Sequence, residues 1–124
     1  MNLEISAIRD AGSDVNERVV FRVKADCDIG AYFTFISQYI NVEAKRVSTV
    51  VVAPYWFPDA MVRTNDYVVV YTKAGVNSTK KNDDGTTSYF FYRGLPHAVC
   101  TDNRSCAVLL SVAQWGSKGI EQNK

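Results

Sequence analysis

Residues 66–72 constrain the fold of this chain more than any other segment. They read Asp-Tyr-Val-Val-Val-Tyr-Thr and lie between the turn-forming Phe57-Pro58-Asp59 and Gly75. β-Branched and aromatic side chains pack well on a pleated surface but lose rotamer freedom in a helix. We therefore predict a buried β-strand at this position.

Residues 18–24 carry a second strong strand signal. Three apolar side chains alternate there with three basic ones, which is the pattern of a strand with one wet face. Other runs rich in β-branched and aromatic residues predict further strands at residues 3–7, 32–36, 47–52, 88–92 and 106–112. Pro54 and Pro58 cannot donate to a sheet ladder, so residues 53–65 are predicted to be a loop. The polar segment 75–87 is predicted to be a mobile loop.

Seven short strands separated by turn signals indicate an all-β protein. The best helix candidate, residues 40–47, has only a weak apolar stripe. We predict an immunoglobulin-like sandwich of two antiparallel sheets, with about seven strands and little or no helix. A chain of 124 residues is one domain of ordinary size. The domain is expected to span residues 1–115, with a C-terminal tail at residues 116–124.

The order of these segments resembles that of the lamin-tail domain, a small immunoglobulin-like sandwich. The similar features are an opening strand and turn, a strand with an acidic residue near its start, a proline before the central strand, an aromatic segment and a last apolar strand. They fall at Ile5, Ile8 and Gly12, residues 17–21, Phe57-Pro58, residues 66–75, residues 89–95, Asp102-Asn103 and residues 107–110. The family commonly has a tryptophan before the closing turn, where this chain has residues 97–100. The resemblance implies a scaffold for binding or assembly, without catalytic residues.

Charge and hydropathy exclude two classes of partner. Fourteen basic and thirteen acidic side chains give a net charge of +1, so the broad basic field that binds nucleic acid is absent. No stretch approaches the roughly 20 apolar residues of a membrane span. The N-terminus lacks the pattern of a signal peptide, so we predict cytoplasmic synthesis and no membrane association.

The three cysteines, Cys27, Cys100 and Cys106, show no CxxC spacing. Reduced thiols are expected for a protein made in the cytosol. Cys100 and Cys106 flank a segment of turn composition, and a disulfide between them remains open if their Cα atoms come within about 6 Å.

Candidate catalytic residues are sparse. His97 is the only histidine, and any Cys–His pair would have to be built from His97 and Cys100. A small enzyme or ligand-binding protein that uses His97, Cys100 and Arg93 is therefore the alternative function. One histidine and scattered cysteines lack the paired ligands of a zinc site, so no metal, cofactor or small-molecule substrate is expected.

Two aromatic runs, residues 55–57 and 89–92, carry consecutive rings that cannot all face one core, because successive strand residues point to opposite faces. Exposed aromatic side chains are common anchors of protein interfaces. We predict a partner contact at Tyr55, Trp56, Tyr92 and Trp115. The function expected from the sequence is a non-catalytic structural or interaction module that binds a protein or itself, for example an accessory or decoration protein of a phage-like virion.

Overall fold

The computed structural model describes residues 1–121 and shows an all-β protein. Within these residues there are eleven strands and one 3-10 turn, Ile29–Ala31, and no α-helix. The strands are β1 Leu3–Arg9, β2 Arg18–Val23, β3 Cys27–Asp28, β4 Tyr32–Asn41, β5 Arg46–Val47, β6 Val52–Trp56, β7 Met61–Val62, β8 Tyr67–Tyr71, β9 Ser78–Lys81, β10 Thr87–Tyr92 and β11 Ser105–Ser111. The predicted all-β sandwich is confirmed.

Two main sheets form the sandwich. The first has the strand order β1-β2-β8-β10-β9. In the second, β4 pairs with β11 along one edge and with β6 and β5 along the other. A short two-stranded ladder of β3 and β7 lies apart from both sheets. All but one of the strand pairs are antiparallel; β8 and β10 run parallel, and β10 lies between β8 and β9.

The core lies between the facing sides of the two sheets. Phe21, Val68 and Val70 from the first sheet are completely buried, and Tyr32 and Ile36 from the second are nearly so. The core residues within one strand are an even number of positions apart, as a face-to-face sandwich requires.

Phe57 fills the centre of the core from the segment after β6. Its ring meets Phe21 edge-on at a centroid distance of 5.7 Å and Phe91 at 5.6 Å. Such edge-to-face pairs add about 0.5–1.5 kcal/mol each to the free energy gained by burying the rings. Both Phe21 and Phe91 belong to the first sheet, and the backbone N–H of Phe57 donates to the backbone oxygen of Tyr32 in the second, so Phe57 links the two sheets.

Three of the predicted segments differ from the structure. Of the predicted strand 47–52, only the two end residues are in strands: Val47 ends β5, Val52 begins β6, and residues 48–51 connect them. The predicted loop 53–65 contains most of β6 and all of β7, and the predicted loop 75–87 contains β9. Pro54 is tolerated because β6 is an edge strand with an irregular register, and Ala53 has a positive φ of 53° at that irregularity.

The C-terminal segment has no strand after Ser111 within the described residues. Of the predicted tail, residues 122–124 lie outside the described part of the chain. Trp115 packs on Trp56 of β6, so the chain stays in contact with the second sheet after β11 ends. Among residues 1–121, none forms a helix of the length and apolarity needed to cross a bilayer.

Candidate protein-interaction face

The outer face of the second sheet is apolar. Tyr32, Thr34 and Ile36 of β4 point into the core, so Phe33 and Phe35 point outward. Side chains that are directly opposite in a ladder share a face of the sheet. The partners of Phe33 are Trp56 on β6 and Leu110 on β11, and three apolar side chains therefore form a row across the sheet.

This row widens into a groove, called here the Trp groove. Its walls are Phe33, Trp56, Leu110, Val112 and Trp115, which enclose about 290 Å³. Trp56 is 47% exposed, Trp115 is 67% exposed and Leu110 is 44% exposed. Contiguous exposed apolar patches of this kind are often functional sites on protein surfaces.

The Trp groove is held in shape by specific contacts. The indole Nε1 of Trp56 donates a 2.9 Å hydrogen bond to the backbone oxygen of Gly30. The rings of Trp56 and Trp115 meet edge-on, with their centroids 4.9 Å apart. A rigid aromatic surface loses little side-chain entropy when a partner binds. These are the only two tryptophans of the chain, so intrinsic tryptophan fluorescence reports on this groove alone.

The four residues predicted to contact a partner do not form one surface. Trp56 and Trp115 come together in the Trp groove. Tyr55 points the other way and packs on Phe57 and Phe91 of the core, at 5.3 and 6.0 Å. Tyr92 lies on the outer face of the first sheet, where it stacks on Tyr71 at 5.3 Å. Tyr55 and Trp56 are consecutive residues of β6 and therefore point to opposite faces of the sheet. The sequence analysis placed both in a predicted loop, so it could not tell which of the two side chains is exposed.

A second apolar feature escaped the sequence analysis. Beyond the body of the sheet, the end of β4 and the short β5 form a two-stranded ribbon, and every residue from 40 to 47 on it is exposed. We call residues 40–52 the aliphatic arm. Its exposed aliphatic side chains are Ile40, Val42, Val47, Val50, Val51 and Val52, which are between 38% and 56% exposed.

The proposed catalytic pair His97 and Cys100 does not assemble. The His97 ring is on the surface, with Nδ1 3.3 Å from a carboxylate oxygen of Asp14. Cys100 is buried. Burial, together with the nearby charge of Glu17, raises the pKa of the Cys100 thiol to about 12. A thiol with this pKa is almost entirely protonated near neutral pH and is a poor nucleophile.

Glu17 accepts four hydrogen bonds through its carboxylate, more than any other side chain among the described residues. Its carboxylate, 2% exposed, accepts hydrogen bonds from the backbone N–H groups of Gly12 (3.0 Å), Val99 (2.9 Å) and Cys100 (2.8 Å) and from the hydroxyl of Thr72. Burial alone would raise the pKa of Glu17, but these hydrogen bonds outweigh burial and leave the pKa below its ordinary value. Glu17 thus fixes the segment after β10 to the turn before β2.

Arg93 is the cation of this buried cluster. Both terminal guanidinium nitrogens are buried and have no hydrogen-bond partner within the described residues. Burial lowers the pKa of Arg93 to about 10, and electrostatic interactions with Cys100, Glu17 and Tyr55 oppose this shift. The cluster therefore combines a fully hydrogen-bonded carboxylate with a cation whose terminal nitrogens have no partner among the described residues.

The three cysteines are free thiols, and Cys100 and Cys106 are both buried. The disulfide considered between them is not formed in this structure. Within residues 1–121 there is no group of three or more His, Cys, Asp or Glu side chains arranged to hold a metal ion.

Comparison with models of protein families, with curated proteins and with solved structures found no match for this chain. The resemblance to lamin-tail domains stays a prediction from the strand pattern.

Proposed function

We propose that this protein is a non-catalytic interaction module whose Trp groove binds a protein partner. The observation that carries the proposal is the exposure of Trp56, Leu110 and Trp115 on one rigid apolar surface. Tryptophan is among the residues most enriched at the energetic centres of protein interfaces.

The chemistry of the other candidate site supports the same proposal. A Cys–His nucleophile needs an accessible thiolate beside the imidazole, whereas Cys100 is buried with a raised pKa and His97 pairs with Asp14 on the surface. Glu17 is enclosed by the segments that it holds together, and the terminal nitrogens of Arg93 are buried beside it. The loop of Arg93, His97 and Cys100 therefore serves as a structural connection in this proposal.

The setting that we propose is a larger protein assembly in which the chain is one subunit. A rigid β-sandwich with a lamin-tail-like order of strands offers faces and loops for docking, and an accessory subunit of a phage-like virion is one such role. The near-neutral net charge of +1 favours contact with a protein surface over contact with nucleic acid.

Complexes isolated from the native source test the proposal. A tagged full-length chain is purified under native conditions, and its complexes are sized by chromatography with light scattering. Leu110→Glu places a charge in the Trp groove, and Val76→Ser, at a side chain that is 86% exposed outside the groove, is the matched control. We expect the control to retain the high-mass complexes and Leu110→Glu to lose them while its circular dichroism spectrum stays native.

The result that overturns the proposal is a folded Leu110→Glu protein that retains its complexes. Trp115→Ser repeats the experiment at a more exposed position, in case the glutamate disturbs folding. An enzymatic activity that His97→Ala abolishes would also overturn the proposed non-catalytic role.

A further inference from the structure

We propose that β11 pairs with β11 of a second copy of this chain about a two-fold axis, so that the second sheet continues from one molecule into the other. β11 is an edge strand of that sheet, with β4 on one side and no strand on the other. The inference goes beyond the proposed function, because it concerns the edge of the sheet whereas the proposed function concerns its outer face.

The ladder between β4 and β11 determines which backbone groups of β11 point toward the open edge. Tyr39 donates its backbone N–H to the oxygen of Arg104, and Val112 donates to the oxygen of Ala31. Both bonds fit the register of the ladder, so the even-numbered residues of β11 bond to β4. Alternate residues of an antiparallel strand bond to opposite sides. The backbone groups that point away from β4 are therefore those of Ser105, Ala107, Leu109 and Ser111.

Most of these outward groups are unpaired. Ser105 donates its N–H to the backbone oxygen of Asp102 at 3.2 Å. The carbonyl of Ser105 and both backbone groups of Ala107, Leu109 and Ser111 have no backbone partner among residues 1–121. A row of this kind is a template for a further strand.

The other edge strands among residues 1–121 carry features that hinder pairing. β9 contains Lys80 and Lys81 and is exposed throughout. β6 contains Pro54 and an irregular register. β1 contains a bulge and charged side chains, and β5, in the aliphatic arm, is two residues long. Lysine, proline, bulges and short length are the devices by which proteins protect sheet edges from pairing.

β11 has none of these protective features. It is seven residues long, Ser-Cys-Ala-Val-Leu-Leu-Ser, and contains no proline and no charged side chain. Its register with β4 runs without interruption from Ser105 to Ser111. The edge of β11 is thus the one among the described strands that remains competent to pair along its whole length.

The sequence of β11 suits antiparallel pairing with itself. With Val108 opposite Val108 of the second copy, Ala107 lies opposite Leu109 and Ser105 lies opposite Ser111. This register brings outward groups against outward groups and uses the whole strand, forming about six backbone hydrogen bonds. The bond that Ser105 N–H already makes is left intact.

The side chains along the seam are compatible with this register. No like charges oppose each other, because residues 105–111 are uncharged, and like charges directly opposite are what destabilises a strand pair. Val108 lies opposite Phe35 on the outer face, so an apolar row would run from Phe35 through both Val108 side chains to the second Phe35. A contact in which both copies use the same surface is isologous and closes as a dimer.

The first experiment uses charge at the centre of the seam. Position 108 is the one that would face itself, so Val108→Lys and Val108→Glu each place two like charges opposite each other. Sedimentation velocity of the purified full-length chain should show a dimer for the wild type and at least about tenfold weaker association for each variant. An equimolar mixture of the two variants should recover a dimer, because lysine then faces glutamate. Val76→Lys, at a side chain that is 86% exposed elsewhere, is the control and should dimerise like the wild type.

The second experiment tests the register by disulfide cross-linking. The two Val108 residues would form a non-hydrogen-bonded pair, whose Cα atoms are about 4.5 Å apart, within the range that a disulfide spans. Mild oxidation of Val108→Cys should therefore give a covalent dimer joined through position 108, identified by peptide mass spectrometry. Val76→Cys at the same concentration should stay uncross-linked.

A third variant keeps the test available if a charge at position 108 disturbs folding. Ala107→Pro removes an N–H group that points to the open edge and none that bonds to β4, which is the position where an edge strand tolerates proline. We expect Ala107→Pro to be a folded monomer by circular dichroism and sedimentation.

Several results would overturn the inference. They are a wild type that stays monomeric up to about millimolar concentration, a mixture of the two charged variants that forms no dimer, and a dimer that Val108→Cys does not link. Trp115→Ser changes the Trp groove without changing β11, and Val108 is not a wall of the groove. Loss of the native complexes in Trp115→Ser with a monomeric wild type would therefore end this inference alone, and a wild-type dimer with native complexes unaffected by Trp115→Ser would end the proposed function alone.

Discussion

Glu17 and Cys100 are 83 residues apart in the chain, yet the backbone N–H of Cys100 donates a 2.8 Å hydrogen bond to the carboxylate of Glu17. The neighbouring N–H of Val99 donates to the other carboxylate oxygen. One acidic side chain at the start of β2 thus holds the segment that leads from β10 into β11. The contact closes one end of the sandwich without any regular strand pairing.

Replacing Glu17 by alanine should destabilise the fold strongly. The change leaves three backbone N–H groups and the Thr72 hydroxyl without their acceptor and leaves the buried charge of Arg93 uncompensated. Loss of one member of such a buried cluster costs about 3–5 kcal/mol. Urea unfolding followed by circular dichroism measures this free energy.

Glu4→Ala is the matched control for this prediction. Glu4 is an exposed side chain whose carboxylate is 3.7 Å from the ammonium group of Lys24. Exposed ion pairs of this kind contribute little, so the free energy of unfolding should change by less than about 1 kcal/mol. Equal effects of Glu4→Ala and Glu17→Ala would contradict the role assigned to the buried carboxylate.

The stability of the protein should fall in acid because of Glu17. Its pKa in the folded state is below the ordinary value, so the unfolded state binds the proton more tightly. The stabilisation from this group is therefore complete above the unfolded pKa of about 4.3 and is lost as the pH falls through the folded pKa. Urea unfolding from about pH 7 to about pH 2 measures this dependence. The dependence should be smaller in Glu17→Gln, and parallel curves for the two proteins would show that other carboxylates account for it.

Arg93→Met should behave in the opposite way to Glu17→Ala. The carboxylate of Glu17 keeps all four of its hydrogen bonds without Arg93, whereas the terminal nitrogens of Arg93 have no acceptor among the described residues. A buried cation without hydrogen-bond partners costs free energy, and an apolar side chain of similar length removes that cost. We expect the free energy of unfolding to change by less than about 1 kcal/mol or to rise. A loss as large as that in Glu17→Ala would show that the charge of Arg93 itself is needed.

Cys100 should resist alkylation in the native protein. Its thiol is buried and has a pKa raised to about 12, so very little thiolate is present near neutral pH. Iodoacetamide labelling followed by peptide mass spectrometry should modify the partly exposed Cys27 first and should modify Cys100 only after denaturation. Rapid native labelling of Cys100 would contradict its placement, and a Cys100–Cys106 peptide lacking two hydrogens would reveal a disulfide.

The strands that the sequence predicted well are those whose side chains report directly on burial. Residues 18–24 and 66–72 correspond closely to β2 and β8, since alternation and a continuous apolar run are both consequences of packing in a sheet. β9 was missed because Ser-Thr-Lys-Lys at the edge of the first sheet is exposed on both faces. Such an edge strand has no apolar face, and lysine there discourages pairing with other molecules.

The remaining differences come from contacts between distant parts of the chain. The valine-rich run 47–52 has the composition of a strand, but the chain leaves β4 at Val47 and returns to it only at Val52. The Trp groove joins β4, β6, β11 and the segment after it, and the acceptor role of Glu17 depends on residues 99 and 100. No local pattern contains this information, because it arises only when the sheets assemble.

The parallel pairing of β8 with β10 has a consequence for the order in which the chain can fold. β10 is the last strand of the first sheet to be synthesised, yet it lies between two strands, β8 and β9, that are made before it. During translation, the hydrogen-bonding edge of β8 must stay open until Tyr92 has left the ribosome. The valine-rich stretch that makes this strand so recognisable thus keeps an unpaired edge during synthesis, and the nascent chain must shield that edge from aggregation.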